Sequence, residues 1–131
     1  MTELFKALGD ENRLRLLNVL DHKALCVCEI EVLLGMSQSN ASRHLSKLRA
    51  VGILSSEKDA QWVHYKISDD FIKLNRELYL FLKEGFQKGE SFINDLQRLE
   101  IYTKKGLNCQ YIANDKDYVL REIEIHLEKE A

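Results

Sequence analysis

The chain has 131 residues, 45% of them hydrophobic and 31% charged, with no proline and a formal net charge of −2. That balance fits one folded domain, or a core with dimerising extensions, and no apolar run of about 18 residues exists to cross a membrane. No basic region followed by an apolar run opens the sequence, so a cytoplasmic protein is expected, its three cysteines reduced and unsuited by their odd number to a disulfide framework.

The predicted elements follow in chain order. A short helix runs from Glu3 to Leu8 and ends at Gly9. Asp10 is placed to cap a second helix, in which Leu14, Leu17 and Leu20 share a face. A third runs from about Cys28 to Leu34, with Ile30, Leu33 and Leu34 apolar, and stops at Gly35. Ser37 caps a fourth that reaches about Val51, where Gly52 follows. Its apolar stripe is narrow, Ala41, Leu45 and Leu48, and most of its other positions are polar. A short helix, a glycine turn and a polar second helix make a helix-turn-helix pattern.

Ile53–Lys58 and Trp62–Ile67 read as strands around Asp59-Ala-Gln61. In the second, Val63, Tyr65 and Ile67 alternate with Trp62, His64 and Lys66, which predicts a hairpin with one buried face. Its place after the polar helix makes it a wing. Ser68 or Asp69 then caps a helix holding Phe71, Leu74, Leu78, Phe81 and Leu82. Further helical stretches carry Phe92, Leu96 and Leu99, and, after Gly106 and Cys109, Tyr118, Val119, Ile123 and Leu127. These are more apolar faces than a domain of ~70 residues can cover, so those around Phe71–Phe86 and Phe92–Leu99 are expected to help join two protomers. The expected fold is mainly α with a small β-hairpin: a winged helix-turn-helix domain over residues 1–84 and a helical C-terminal extension over 85–131.

Two constellations carry chemistry. The first is the polar helix. Residues 37–68 carry a net +3, against −2 for residues 1–36 and −3 for residues 69–131, and such a local basic surface suffices to neutralise phosphates because screening acts within about 10 Å. Gln, Asn, Arg and Ser present donors and acceptors to base edges, and residues near the helix start reach deepest into the groove. Gln38, Ser39, Ser42, Arg43, His44 and Lys47 on the helix, with Lys58 and Gln61 on the wing, are therefore the candidate contacts to double-stranded DNA. The competing reading is a solvated helix face.

The second constellation is Cys26-Val-Cys28. Thiolates are soft ligands that select Cu(I), Zn(II), Cd(II), Pb(II) or a thiophilic metalloid. A helix N-terminus favours the thiolate. Two positions apart on a helix, side chains diverge by about 200°, so both sulfurs reach one centre only if the first turn is remodelled. Two buried structural cysteines would read the same way. Cys109, isolated between predicted helices, is a candidate third ligand or an incidental cysteine, and the four histidines show no metal-like spacing. No phosphate loop, acid pair or nucleophile–base signature supports catalysis.

From Leu4 to Phe71 the chain resembles the ArsR/SmtB family of small winged-helix repressors. Four segments carry the resemblance: Phe5–Leu17, Leu25-Cys-Val-Cys-Glu-Ile30, the reader helix Ser37–Ile53 and the wing Gln61–Ile67. It implies a homodimer that represses an operon until an inducer frees the DNA, with Cys26 and Cys28 as inducer ligands and no cofactor required. The inducer implied is trivalent arsenic or antimony. Cd(II) or Pb(II) is the alternative, and a metal-free thiol redox switch a third reading. The arsenical branch often has a third cysteine three residues past the second, where this chain has Glu31; the cadmium/lead branch adds N-terminal cysteines that have no counterpart here. The family's Asp and His zinc pattern after the wing is not met either, since Asp69 is followed by Asp70 and Phe71. A site of two protein thiolates with a third ligand from solvent or a small cellular thiol is therefore expected, because Cys109 lies more than 80 residues past Cys28 and ordering a loop over that span costs entropy.

Overall fold

The computed structural model describes residues 1–130. Local capping sets the first four helices: α1 (Thr2–Leu8), α2 (Glu11–His22), α3 (Val27–Leu34) and α4 (Gln38–Ala50). Asp10 accepts the Arg13 N–H at 3.1 Å and opens α2, and Ser37 accepts the Asn40 N–H at 3.2 Å and opens α4. Between α3 and α4 the chain reverses at Gly35, whose φ of 67° is left-handed. These two helices form the helix-turn-helix.

Strands β1 (Leu54–Asp59) and β2 (Trp62–Ile67) pair antiparallel, from Leu54 opposite Ile67 to Asp59 opposite Trp62. Ala60, at φ 56°, turns the tip. Leu25 adds a bridge on the open edge of β2, exchanging two hydrogen bonds with Tyr65 at 3.1 and 2.8 Å. The expected buried face holds at Ile67 and in part at Tyr65, and fails at Val63, which is exposed. The tip of the hairpin projects beyond the core, and on the opposite face of the strand His64 packs inward instead.

The single helix expected after the wing is two: α5 (Asp69–Leu74) and α6 (Arg76–Phe86). Asn75, at φ −130° and ψ 46°, leaves helical geometry between them. Then follow α7 (Glu90–Lys104), α8 (Cys109–Asn114) and α9 (Lys116–Glu130).

The extension folds back on the winged helix and shares its core. Tyr102 and Ile123, buried without exposure, join Leu16, Ile30, Leu33 and Leu45 in one apolar cluster. Phe92 packs edge-on against Phe86 at 5.2 Å, and Leu99 is buried. The Phe92–Leu99 face expected to meet a second protomer is thus largely spent within the chain. Guanidinium groups fasten the layers. Arg15 grips Asp95 through two bonds of 2.8 and 2.9 Å and donates to the Leu34 carbonyl at 3.0 Å. Arg98 donates to the carbonyls of Leu33 and Val32 at 3.0 and 3.1 Å. Both satisfy carbonyls that the end of α3 leaves without helical partners. The back of α3 is therefore fixed, and its N-terminus points to α8 and the wing.

Candidate metal centre and nucleic-acid interface

Cys26 does not belong to α3 but caps it, with extended φ −91° and ψ 170°. A capping residue turns its side chain back over the first helical turn. That brings its Sγ to 3.0 Å from the Sγ of Cys28, the second helical residue. The divergence of about 200° applies to two residues inside a helix. Here the helix starts one residue earlier than expected, and the two sulfurs converge with its first turn intact.

Cys109 joins them. Asn108 accepts the Tyr111 N–H at 3.1 Å, which starts α8 and sets Cys109 as its first residue, not in a loop. The three Sγ atoms lie within 4.8 Å of one another. Cys26 and Cys109 are buried and Cys28 half-buried. The two-thiolate expectation rested on the entropy of ordering a distant loop. Leu107 and Ile112, buried on either side of Cys109, already hold that segment in place.

Glu29 and Tyr102 lie beneath the sulfurs. Glu29 is 3% exposed; it accepts the Cys26 N–H at 3.1 Å and the hydroxyl of the fully buried Tyr102. From the wing, His64 brings Nε2 to 3.9 Å from the Cys109 Sγ. The hydrogen bond from Cys28, followed by burial, raises the Cys26 thiol well above the usual range. Burial raises Cys109, with the bond to Cys26 and the charge of Glu29 adding to it. Both shifts run against the pull of the helix N-terminus toward thiolate. Burial and the bond to Glu29 likewise raise Tyr102.

On the reader helix, Gln38, Ser39, Arg43 and Lys47 are exposed and Ser42 is half-buried. Lys58 and Gln61 are exposed at the tip of the wing. His44 is a correction: it is 2% exposed, with Nδ1 3.3 Å from an Arg13 guanidinium nitrogen. Burial lowers its pKa; the carboxylate of Asp10 opposes this, and Arg43, Arg13 and Lys47 reinforce it. Its spacing could have shown this, since His44 falls three residues after Ala41 and four before Leu48, on the buried stripe. Glu29, Tyr102 and Arg13 were not singled out from the sequence, and only Glu29, three residues past a cap, carried a signal there.

Cys26, Cys28 and Glu31 line a groove of about 220 Å³ together with Gln38, Gln61 and Trp62.

Residues 10–56 match the family described as "Bacterial regulatory protein, arsR family". The chain is 40% identical over 81 residues to the cadmium resistance transcriptional regulatory protein CadC of Listeria innocua, covering 61% of this chain and 68% of that protein. The chain belongs to the arsR family. It is also 45% identical over 67 residues to the arsenical resistance operon repressor of Escherichia coli, covering 50% of this chain and 57% of that protein. The chain thus spans little more than half of that repressor's length. Among solved structures, reduced HlyU from Vibrio cholerae matches with a TM-score of 0.52 and 39% identity, over 59% of this chain and 81% of that one. The transcriptional repressor BigR from Xylella fastidiosa matches at 0.55 and 26%, over 68% and 87%. These are winged-helix regulators, not enzymes, and no described helix here is long and apolar enough to cross a membrane. The family match takes in Cys26 and Cys28 and stops before Cys109.

Proposed function

We propose that this chain is a cytoplasmic, homodimeric transcriptional repressor that binds operator DNA through α4 and the wing and lets go when trivalent arsenic or antimony engages Cys26, Cys28 and Cys109. The observation that carries the reading is the convergence of three sulfurs, from α3 and α8, within 4.8 Å. An all-sulfur set selects a soft centre. Arsenous acid, As(OH)₃, condenses with three thiols: three As–S bonds form, three As–O and three S–H bonds break, and the protons leave with the hydroxyls as three waters. No net charge is created. A divalent ion on the same three sulfurs releases three protons and leaves one net negative charge beside the buried Glu29 carboxylate, which is costly in a low dielectric. Charge thus favours the trivalent metalloid over the runner-up, Cd(II) or Pb(II).

The shared groove supplies the coupling. Drawing Cys109 toward the other sulfurs moves α8 against the start of α3, and the Leu25–Tyr65 bridge carries that displacement into β2 and the wing. The dimer rests on Leu74 and Phe81, 81% and 72% exposed on α5 and α6, which a second copy would cover.

The test is release of a fluorescent operator fragment from reduced protein. Arsenite should free the DNA from wild type, while Cys26→Ser, Cys28→Ser and Cys109→Ser bind DNA within about twofold of wild type and hold it at the same arsenite concentration. Serine keeps the shape and removes the soft ligand. Full release from the Cys109→Ser protein would reduce the site to two thiolates. Full release from either of the others would remove the Cys-Val-Cys segment from the sensor.

A further inference from the structure

Arg13 joins three helices. From α2 its buried side chain donates through Nε to the Ala7 carbonyl at 2.6 Å and through Nη2 to the Lys6 carbonyl at 3.3 Å, both near the end of α1. Its Nη1 lies 3.3 Å from His44 Nδ1 on the reader helix and 3.9 Å from an Asp10 oxygen. A guanidinium has no acceptor, so Nη1 donates and Nδ1 accepts, which places the proton of the neutral imidazole on Nε2. The other buried side chains of α4 are its apolar stripe, Ala41, Leu45 and Leu48. Apolar burial is non-directional and fixes the rotation of a helix weakly. A buried hydrogen bond has a preferred length and angle, and fixes it well.

We propose that Arg13 and His44 are a positioning pair: the bond between them sets the rotation of α4 against α1 and α2, and protonation of His44 breaks it, so that operator affinity falls in acid. This rests on α4 as the DNA-reading helix and not on any inducer. Protonation turns Nδ1 into a donor facing the Nη1 donor, and sets two buried cations side by side. The charges acting on the ring are Asp10 and Arg13 at the start of α2, and Arg43 and Lys47 on α4 itself. On α1, Lys6 pairs with Glu3 at 3.7 Å on the surface. Two further elements pack against α4. From α3, Glu29 is engaged by Cys26 and Tyr102, and Glu31 pairs with Lys116. On β1, Glu57, Lys58 and Asp59 are exposed. Burial, and then a surplus of positive charge that Asp10 only partly offsets, favours the neutral ring. The bond is therefore intact at neutral pH and is lost as pH falls through the folded value, which lies below 6.5. Simple electrostatics has the opposite sign, because protonating exposed histidines such as His22 adds positive charge and tightens DNA binding.

The experiment titrates the reduced, full-length chain against the operator fragment from about pH 7.5 to about pH 5, with circular dichroism recorded in parallel. Wild-type affinity should fall by about fivefold or more while the helical signal stays native. His44→Phe fills the buried volume without an acceptor, and at neutral pH it should bind about tenfold more weakly. His44→Asn sets an amide oxygen near the place of Nδ1. It should bind within about threefold of wild type at neutral pH and lose the acid response, a rescue that simple filling of the core does not give. Arg13→Met should match His44→Phe, and the two changes together should cost little more than either alone. Nitrogen NMR of the free protein should place the neutral imidazole proton on Nε2, and the amide signals of α4 should shift as His44 titrates. Affinity that rises as pH falls, an acid loss kept by His44→Asn, a proton on Nδ1, or DNA release only together with unfolding would each overturn the proposal. No specific DNA binding at any pH, beside the Nε2 proton and α4 signals that follow His44, would sink the reading of α4 as the DNA-reading helix and leave the pair as its anchor.

Discussion

At the scale of single residues, burial decides what each polar group does. His44 shows how. Its neutral form is preferred in the folded chain, because burial lowers its pKa from the usual 6.5. A depressed histidine contributes stability that is fully present above pH 6.5 and is lost as pH falls through the lower, folded value. Urea midpoints should therefore decline as pH drops below about 6.5, and a His44→Gln protein should lose part of that slope. An equal slope in the two proteins would mean that another group sets it. Arg43, by contrast, is exposed one position away and lies 3.4 Å from Asn40 on the same face. Arg43→Ala should weaken operator binding by about 1–3 kcal/mol if the side chain reads a base. Unchanged affinity in a titration of operator DNA would place another face of α4 in the groove.

At the scale of elements, the turn between α3 and α4 holds the reader helix. Gly35 sits at φ 67° with nothing within 4 Å of where a Cβ would stand, so Gly35→Ala costs backbone strain and no clash. Chemical denaturation should show a loss of roughly 1–2 kcal/mol. A neutral result would mean that the turn relaxes. On the wing, Lys58→Ala should flatten the salt dependence of DNA binding by about one unit if the amine meets a phosphate.

Element by element, the helix-turn-helix and hairpin were legible, because their caps and stops are local: Asp10, Ser37 and Gly35 act on their own turns. What escaped was tertiary. The inward turn of His64 and the outward turn of Val63 depend on where the hairpin leaves the core, which alternation along one strand does not encode. The Cys26–Cys28 pair was half legible. The residue types pointed to soft-metal chemistry, but a one-residue difference in the helix start changes two diverging sulfurs into two converging ones. Cys109 was visible as a donor, while its partners are set by the packing of α7 and α8, more than 80 residues away in sequence.

At the scale of the whole molecule, the proposed sensing site and the proposed pairing surface lie apart. The three sulfurs converge within one chain, so the proposed inducer site needs no second copy. Operator binding does, if two reader helices are to enter successive major grooves roughly 34 Å apart. The surface left for pairing is on α5 and α6, where Leu74, Leu80 and Phe81 are exposed, with Phe5 of α1 also open to solvent. A charge placed in that patch would be buried without a partner on association, at a cost that disfavours the dimer. Phe81→Glu is the sharpest test, since the side chain is 72% exposed and its replacement leaves the chain's own core intact. Sedimentation at micromolar concentration should show wild type at twice the chain mass and Phe81→Glu at the chain mass. The variant should still bind one arsenite per chain, with the same affinity within about twofold, and should lose cooperative binding to a two-half-site operator. A dimeric Phe81→Glu protein would move the interface elsewhere. A monomeric one that no longer binds arsenite would show that the two surfaces are coupled, against the separation argued here.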